Sequence, residues 1–115
     1  MPTLAVLLAV LLAAAPEEEY QLLDFHASWC GPCKQLDERM KDDKIKAVLK
    51  KHKVKVVRID IDEDKEAASN YKIESVPTLI LVKVNDKKEA KVLKRKSGLQ
   101  DIPALVKFVN PDEKD

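Results

Sequence analysis

The chain has 115 residues, of which 45% are hydrophobic, and its 21 Lys and Arg residues nearly balance 20 Asp and Glu residues, giving a formal net charge of +1. That length suits one domain with a single core, so no disulfide or metal is needed to rescue the fold. The charges are mixed along the sequence and form no basic stripe, which argues against a nucleic-acid partner.

Residues 1–16 differ from the rest of the chain. An apolar run from Leu4 to Ala15 resembles the core of a secretory signal and is short for a membrane span. No Lys or Arg precedes the run, and Pro16 follows directly where a signal peptidase would cut. Two interpretations stay open, namely an export signal, which we favour, and an apolar helix packed on the domain.

The sequence after Pro16 alternates between strand and helix patterns. Short runs rich in large apolar side chains indicate strands, and apolar residues spaced three and four apart indicate helices. A break is expected at Asp42–Asp43 inside the first helical stretch. We predict strands at 20–27, 54–61, 77–84 and 89–96, and helices at 33–52, at 64–72 and after Gly98.

The order of these elements, βαβαββα, predicts an α/β fold. Strand–helix–strand units imply parallel pairing, and the closing hairpin adds antiparallel strands, with 89–96 at an edge. The expected architecture is a central mixed sheet of four to five strands flanked by helices on both faces. The domain is expected to cover residues 17–110, and 111–115 to form a polar tail.

Both cysteines of the chain, Cys30 and Cys33, lie in one turn between the first strand and its helix. A bridge between them closes a very short loop and removes little entropy from the unfolded chain, so structural stapling is a poor explanation. The position of Pro32 suits the first turn of a helix, where its missing N–H costs nothing. The pair is therefore expected to carry chemistry.

A zinc site is one chemical alternative. Cys30, Cys33, His26 and His52 supply four potential ligands. The second close pair of Cys or His residues that a structural zinc site needs is absent, so a redox turn fits better and no metal is expected.

The arrangement resembles the thioredoxin family over roughly residues 20–110. The resemblance rests on "WCGPCK" at Trp29–Lys34, on "DF" at Asp24–Phe25, where thioredoxins carry a buried acid and an aromatic, and on "VPT" at Val76–Thr78. Arg58 falls where many thioredoxins carry a lysine near that acid. One departure is that no complete strand and helix precede Tyr20.

The resemblance implies a thiol–disulfide oxidoreductase in which Cys30 is the nucleophile and Cys33 the resolving thiol. At a helix N-terminus Cys30 should have a pKa below that of free cysteine, while Cys33 should be less exposed. Asp24 is expected to be buried, with a raised pKa, and to accept the proton of Cys33. The alternative for Asp24 is a strand-end carboxylate that faces solvent.

The remaining site residues are also assigned by the resemblance. Trp29, Gly31, Pro32 and Lys34 would form the active-site turn. Substrate would bind at Trp29, Val76 and a cis Pro77. The alternatives are that Trp29 is an ordinary core residue and that Pro77 is trans. Two further residues, Arg58 and His26, are candidates for tuning the site, although polar residues on strands are often only solvated.

The implied reaction needs partners outside the chain. The expected substrates are protein disulfides, the redox-active Cys30–Cys33 disulfide serves in place of a bound cofactor, and the protein is expected to be a monomer. An exported form would take electrons from a membrane thiol reductant and a cytoplasmic form from a thioredoxin reductase. Alternatives are a disulfide oxidase or isomerase, and a binding module without turnover.

Overall fold

The computed structural model describes residues 18–114, so the prediction for residues 1–16 lies outside the described part. The division of the chain at residues 16 and 110 stays a prediction. No helix within 18–114 combines the length and apolarity needed to cross a membrane. The elements in chain order are β1 (Glu19–His26), α1 (Gly31–Arg39), α2 (Asp43–Lys51), β2 (Val54–Asp60), α3 (Lys65–Asn70), β3 (Thr78–Val84), β4 (Ala90–Ser97) and α4 (Ile102–Phe108).

The four strands form one mixed sheet in the order β2-β1-β3-β4. The central strand β1 runs parallel to β2 and antiparallel to β3, and β3 pairs antiparallel with β4. Strands β1 and β3 lie inside the sheet and are covered on both faces, so consecutive residues of each, 22–25 and 78–82, are buried. The predicted mixed sheet and the predicted edge position of β4 are confirmed.

The alternation of side chains along β1 divides the core between the two faces of the sheet. On one face, Leu22 belongs to a buried cluster with Leu36 of α1, Ile45 of α2 and Leu105 of α4. On the other face, Leu23, Phe25, Ile80 and Val82 pack with α3 and the residues that follow it. Helices therefore flank the sheet on both faces, as predicted.

The predicted break in the first helical stretch is also present. Asp42 caps α2, and its carboxylate accepts a hydrogen bond from the backbone N–H of Lys44 at 2.8 Å. A carboxylate at this position satisfies an otherwise unpaired N–H group and favours a new helix start. The break leaves α1 as a separate nine-residue helix directly after the active-site turn.

The edge strand β4 carries two cations that the sequence patterns did not single out. Lys94 is buried, and its Nζ donates hydrogen bonds to the carbonyl oxygens of Lys107 and Asn110 at the end of α4. Its neighbour Arg95 donates to the carbonyl oxygens of Tyr71 and Lys72, just after α3. Because a helix C-terminus exposes unpaired carbonyls, both cations stabilise helix ends, and they do so on opposite faces of the sheet.

The packing of the sheet generates a prediction about stability. Ile80 on β3 is fully buried, so Ile80→Ala should lower the free energy of unfolding of the oxidised protein by about 2–5 kcal/mol through lost contacts and a cavity. The matched control is Val92→Ala on the paired strand β4, where the side chain is half exposed and the loss should be about 1 kcal/mol or less. Denaturant unfolding measures both, and equal losses would contradict this account of the core.

Candidate active site

The two cysteines lie at the junction between β1 and α1. The backbone N–H of Cys30 donates to the carbonyl oxygen of Ala27 at 3.2 Å, and Cys30 then caps the helix that begins at Gly31. The backbone N–H of Cys33 donates to Sγ of Cys30 at 3.1 Å. The two residues form a disulfide, with their Cα atoms 5.3 Å apart. A sulfur in this position receives both a hydrogen bond and the positive end of the helix dipole.

Both sulfurs lie in a small apolar cluster. Ala27, Cys30 and Cys33 are buried together, and Ile61 and Val76 pack against them. Each cysteine is 3% exposed, so the expectation that Cys33 is more shielded than Cys30 is wrong for the disulfide form. The reason is that the loop carrying Val76 covers Cys30, whose Sγ lies 3.7 Å from the carbonyl oxygen of Val76.

That loop contains the candidate substrate-binding residues Val76 and Pro77. The peptide bond between them is cis, and Pro77 is fully buried. The carbonyl oxygen of Pro77 accepts a hydrogen bond from the N–H of Gly98 at 2.8 Å. Gly98 has a φ of 88°, a conformation that glycine adopts without strain. The turn after β4 thus supports the loop beside the disulfide.

Trp29 forms an exposed apolar surface next to the cysteines. Its side chain is 68% exposed, which excludes the alternative of a core Trp. The indole Nε1 donates a hydrogen bond to Oδ2 of Asp62 at 2.9 Å. The remaining turn residues, Gly31, Pro32 and Lys34, are also exposed. The surface beside the disulfide is therefore open to solvent around Trp29 and the start of α1.

Asp24 lies on β1, on the face that α1 covers. Only 3% of the residue is exposed, so the alternative of a solvent-facing carboxylate is wrong. Burial is the largest influence and raises the pKa of Asp24 above its usual value of 3.8; the charge of Arg58 opposes this shift, Asp37 adds to it and His26 opposes it. A buried carboxyl of this kind keeps its proton more readily than an exposed one.

Arg58 bridges two carboxylates. Its Nε lies 3.8 Å from Oδ2 of Asp24, and its Nη2 donates to Oδ2 of Asp37 at 3.0 Å. Asp37 follows Cys33 by four residues, so the two share one face of α1. Arg58 thus links Asp24 to a residue on the face of α1 that also carries Cys33.

The two histidines occupy different ends of the sheet. His26 ends β1, close to Asp24, whereas His52 follows α2 and precedes the start of β2, where its Nδ1 lies 3.7 Å from Oδ2 of Asp112. The parallel register of β1 and β2 puts His52 at the end of the sheet away from Cys30. The four potential zinc ligands are not brought together, and residues 18–114 contain no group of three or more His, Cys, Asp or Glu suited to a metal ion.

Two residues of the site, Asp62 and Asp37, were missed in the sequence. Asp62 comes just after β2, and the carboxyl ends of parallel strands meet at the same edge of a sheet, so its closeness to Trp29 could have been predicted. For Asp37 the sequence offered weaker evidence of a place in the site, namely its spacing of four residues from Cys33. Its contact with Arg58 depends on how α1 lies over β2.

Comparisons with known proteins bear directly on this geometry. The family model described as Thioredoxin matches residues 11–110. The chain is 42% identical over 89 residues to a thioredoxin of Rickettsia felis, covering 77% of each chain, and 38% identical over 98 residues to a thioredoxin of Bacillus subtilis, covering 78% of this chain and 85% of the other. This chain belongs to the thioredoxin family.

Solved structures agree with the fold. A thioredoxin variant from Halobacterium salinarum matches 79% of this chain and 72% of its own, with a TM-score of 0.60 and 32% identity. A thioredoxin from Thermus thermophilus matches 89% of this chain and 77% of its own, with a TM-score of 0.69 and 21% identity, a likeness of fold. The thioredoxin relatives and the cysteine pair at disulfide distance make this member of the family a thiol–disulfide oxidoreductase.

The raised pKa of Asp24 predicts how stability depends on pH. The folded protein holds this proton more tightly than the unfolded chain, so the stabilisation is complete below about pH 4 and is lost as the pH rises through the folded pKa. Asp24→Asn has no charge to bury and should be more stable than the unsubstituted protein at pH 8, by a margin that shrinks on acidification and vanishes near pH 4. Denaturant unfolding of the oxidised proteins across this range tests the prediction, and a margin independent of pH would contradict it.

Proposed function

We propose that the protein reduces disulfide bonds in other proteins. The proposal is carried by the Gly31–Pro32 pair between two cysteines at a helix start, where Sγ of Cys30 accepts the N–H of Cys33. This dipeptide resembles that of the reducing members of the family, whose potentials are about −270 mV, about 150 mV below the strongly oxidising periplasmic type. For a two-electron couple that gap corresponds to about 7 kcal/mol in favour of electron donation.

In the first step the reduced protein attacks the substrate. The helix dipole and the Cys33 N–H favour a thiolate at Cys30, which attacks one sulfur of the substrate disulfide. A bond forms between Sγ of Cys30 and that sulfur, and the other substrate sulfur leaves as a thiolate. The product is a mixed disulfide between the two proteins.

In the second step Cys33 resolves the mixed disulfide. Its thiol gives a proton to the carboxylate of Asp24 and attacks Sγ of Cys30, so that the Cys30–Cys33 bond forms and the second substrate sulfur leaves. Two electrons have then passed from the cysteine pair to the substrate. Burial of Asp24 supports this role, because a raised pKa makes the carboxylate a better proton acceptor near neutral pH.

Substrate recognition would use the surface around the disulfide. Trp29 offers an exposed ring, and the backbone of Val76 borders Cys30. We propose that an extended substrate segment packs on Trp29 and pairs with the backbone at Val76, next to the buried Pro77. His26 and Arg58 would act on the reaction through the charge that they place near Asp24.

Cysteine substitutions test the order of events. Cys30→Ser should abolish turnover in an insulin-type disulfide reduction assay, because the attacking sulfur is gone. Cys33→Ser should also lose turnover but should accumulate a mixed disulfide with the substrate, visible on a non-reducing gel and released by a small thiol. Accumulation with Cys30→Ser instead would reverse the two assigned roles.

The direction of electron flow is tested separately by the reduction potential of the Cys30–Cys33 pair. Equilibration with glutathione or with a reference dithiol should give a reduction potential of about −270 mV. A potential of about −120 mV would indicate an oxidase instead of a reductase, and an intermediate potential of about −180 mV would indicate an isomerase.

The partners and the location are part of the same proposal. We propose a monomer that acts on protein disulfides and is recharged by a membrane thiol reductant if residues 1–15 direct export, or by a thioredoxin reductase if they do not. The apolar run from Leu4 to Ala15 supports export. Expression of the full chain in a bacterium, followed by fractionation and intact-mass measurement, should place the protein outside the cytoplasm without the segment that ends at Ala15. An uncleaved chain in the cytoplasm would reject export.

A further inference from the structure

The two contacts of Arg58 are unequal. The Nη2 group donates a hydrogen bond of 3.0 Å to Asp37, while the Nε group stays 3.8 Å from Asp24, beyond hydrogen-bond distance. The guanidinium thus makes its short contact with the more exposed carboxylate, since the side chain of Asp37 is 33% exposed and that of Asp24 only 5%.

The backbone explains why one arginine meets both acids. In the parallel pairing of β1 and β2, Asp24 lies opposite Arg58. Asp24 points to the same face as Leu22, which packs against α1 through Leu36, and Asp37 is the next residue of that helix. Asp37 therefore contacts the Arg58 guanidinium from the helix that covers this face, whereas Asp24 approaches it from the neighbouring strand of the sheet.

These three side chains meet water in one place. A pocket of about 210 Å³ opens between α1, α2 and β2. The charged residues in its lining are Asp24, Asp37, Lys41 and Arg58, and the apolar ones are Met40, Leu49 and Val56. The otherwise buried Asp24 thus borders a pocket whose wall includes the bridging arginine.

We propose that Asp37 is a positioning residue for the resolving step, holding the Arg58 guanidinium toward solvent and out of hydrogen-bond contact with Asp24. The proposal rests on the proton-accepting role proposed above for Asp24. Asp37 touches neither sulfur in this scheme and acts through Arg58.

The chemical consequence follows from the balance of charges around Asp24. The charged groups that act on it are His26 from β1, Asp37 from α1 and Arg58 from β2. Lys41, in the same pocket, pairs with Glu38, and the neighbour of Asp24 on β3, Leu79, is uncharged. A direct pair with Arg58 would favour the ionised carboxyl and make it a weak proton acceptor. By drawing the guanidinium away, Asp37 keeps Asp24 basic enough to take the proton of Cys33.

A carbon-detected NMR titration of the Asp24 carboxyl in the oxidised full-length protein tests this positioning directly. Asp37→Asn should lower the titration midpoint of Asp24, because Arg58 is then free to pair with it. Asp37→Glu keeps the negative charge, so the titration midpoint of Asp24 should stay close to its value in the unsubstituted protein. The matched control is Glu38→Gln, which removes the same charge at the next residue, where the side chain is exposed and contacts Lys41. An unchanged midpoint in Asp37→Asn, or an equal shift in Glu38→Gln, would overturn the proposal.

A second background separates positioning from the direct effect of the Asp37 charge. In Arg58→Met the guanidinium is absent, so adding Asp37→Asn should move the Asp24 midpoint much less than it does with Arg58 present. A shift of the same size in both backgrounds would show that the effect of Asp37 on Asp24 does not depend on Arg58, and would overturn the proposal.

The kinetic readout is the release of the mixed disulfide. Asp37→Asn should slow this step at neutral pH by about 1.5- to fivefold, the range expected for a partly exposed charge pair, and should move its pH profile to lower pH. A purely structural role would change the denaturation midpoint and leave both the profile and the Asp24 titration in place. Failure of the role proposed for Asp24 would give a different result from failure of the role proposed for Asp37. If Asp24 is not the proton acceptor, Asp24→Asn releases substrate as fast as the unsubstituted protein at every pH, whatever the titration of Asp37→Asn shows.

Discussion

The chemistry of this protein depends on one helix cap. Most helices begin with an oxygen that accepts a free N–H group, but α1 begins with the sulfur of Cys30, which accepts the N–H of Cys33. The same contact fixes the start of the helix, sets the spacing of the two sulfurs and surrounds the first sulfur with positive potential. The start of α1 and the reactivity of Cys30 thus depend on the same local interaction, and the sheet holds the turn that makes it.

The second constraint is a carboxyl group in the apolar layer beneath that helix. A buried carboxylate is costly, and proteins normally bury such a group only with a partner or in its protonated form. Asp24 has an incomplete partner, because Arg58 is half exposed and shared with Asp37. The site therefore keeps an acid whose protonation state is sensitive to small changes in its surroundings, which is a property of functional sites more often than of structural ones.

Much of this could be predicted from the sequence, because the signals were local. Apolar runs predict the strands β1 and β3, and two adjacent acidic residues predict the break before α2. Two cysteines around Gly31–Pro32 predict the active-site turn. The contacts that could not be predicted join residues distant along the chain. Lys94 reads as an ordinary edge-strand lysine, yet it is buried against the end of α4, and the contact of Asp37 with Arg58 depends on how a helix crosses a strand. Shielding of Cys30 was missed for the same reason, since it comes from a loop more than forty residues away.

The hydrogen bond from Trp29 to Asp62 has a consequence for recognition. A large exposed ring on a turn would ordinarily sample several rotamers, and a partner that packed against it would have to freeze that motion. Here the indole is already held in one orientation while most of its surface stays open to solvent. A chain that packed on this ring would therefore cost less side-chain entropy than one that had to order a free indole.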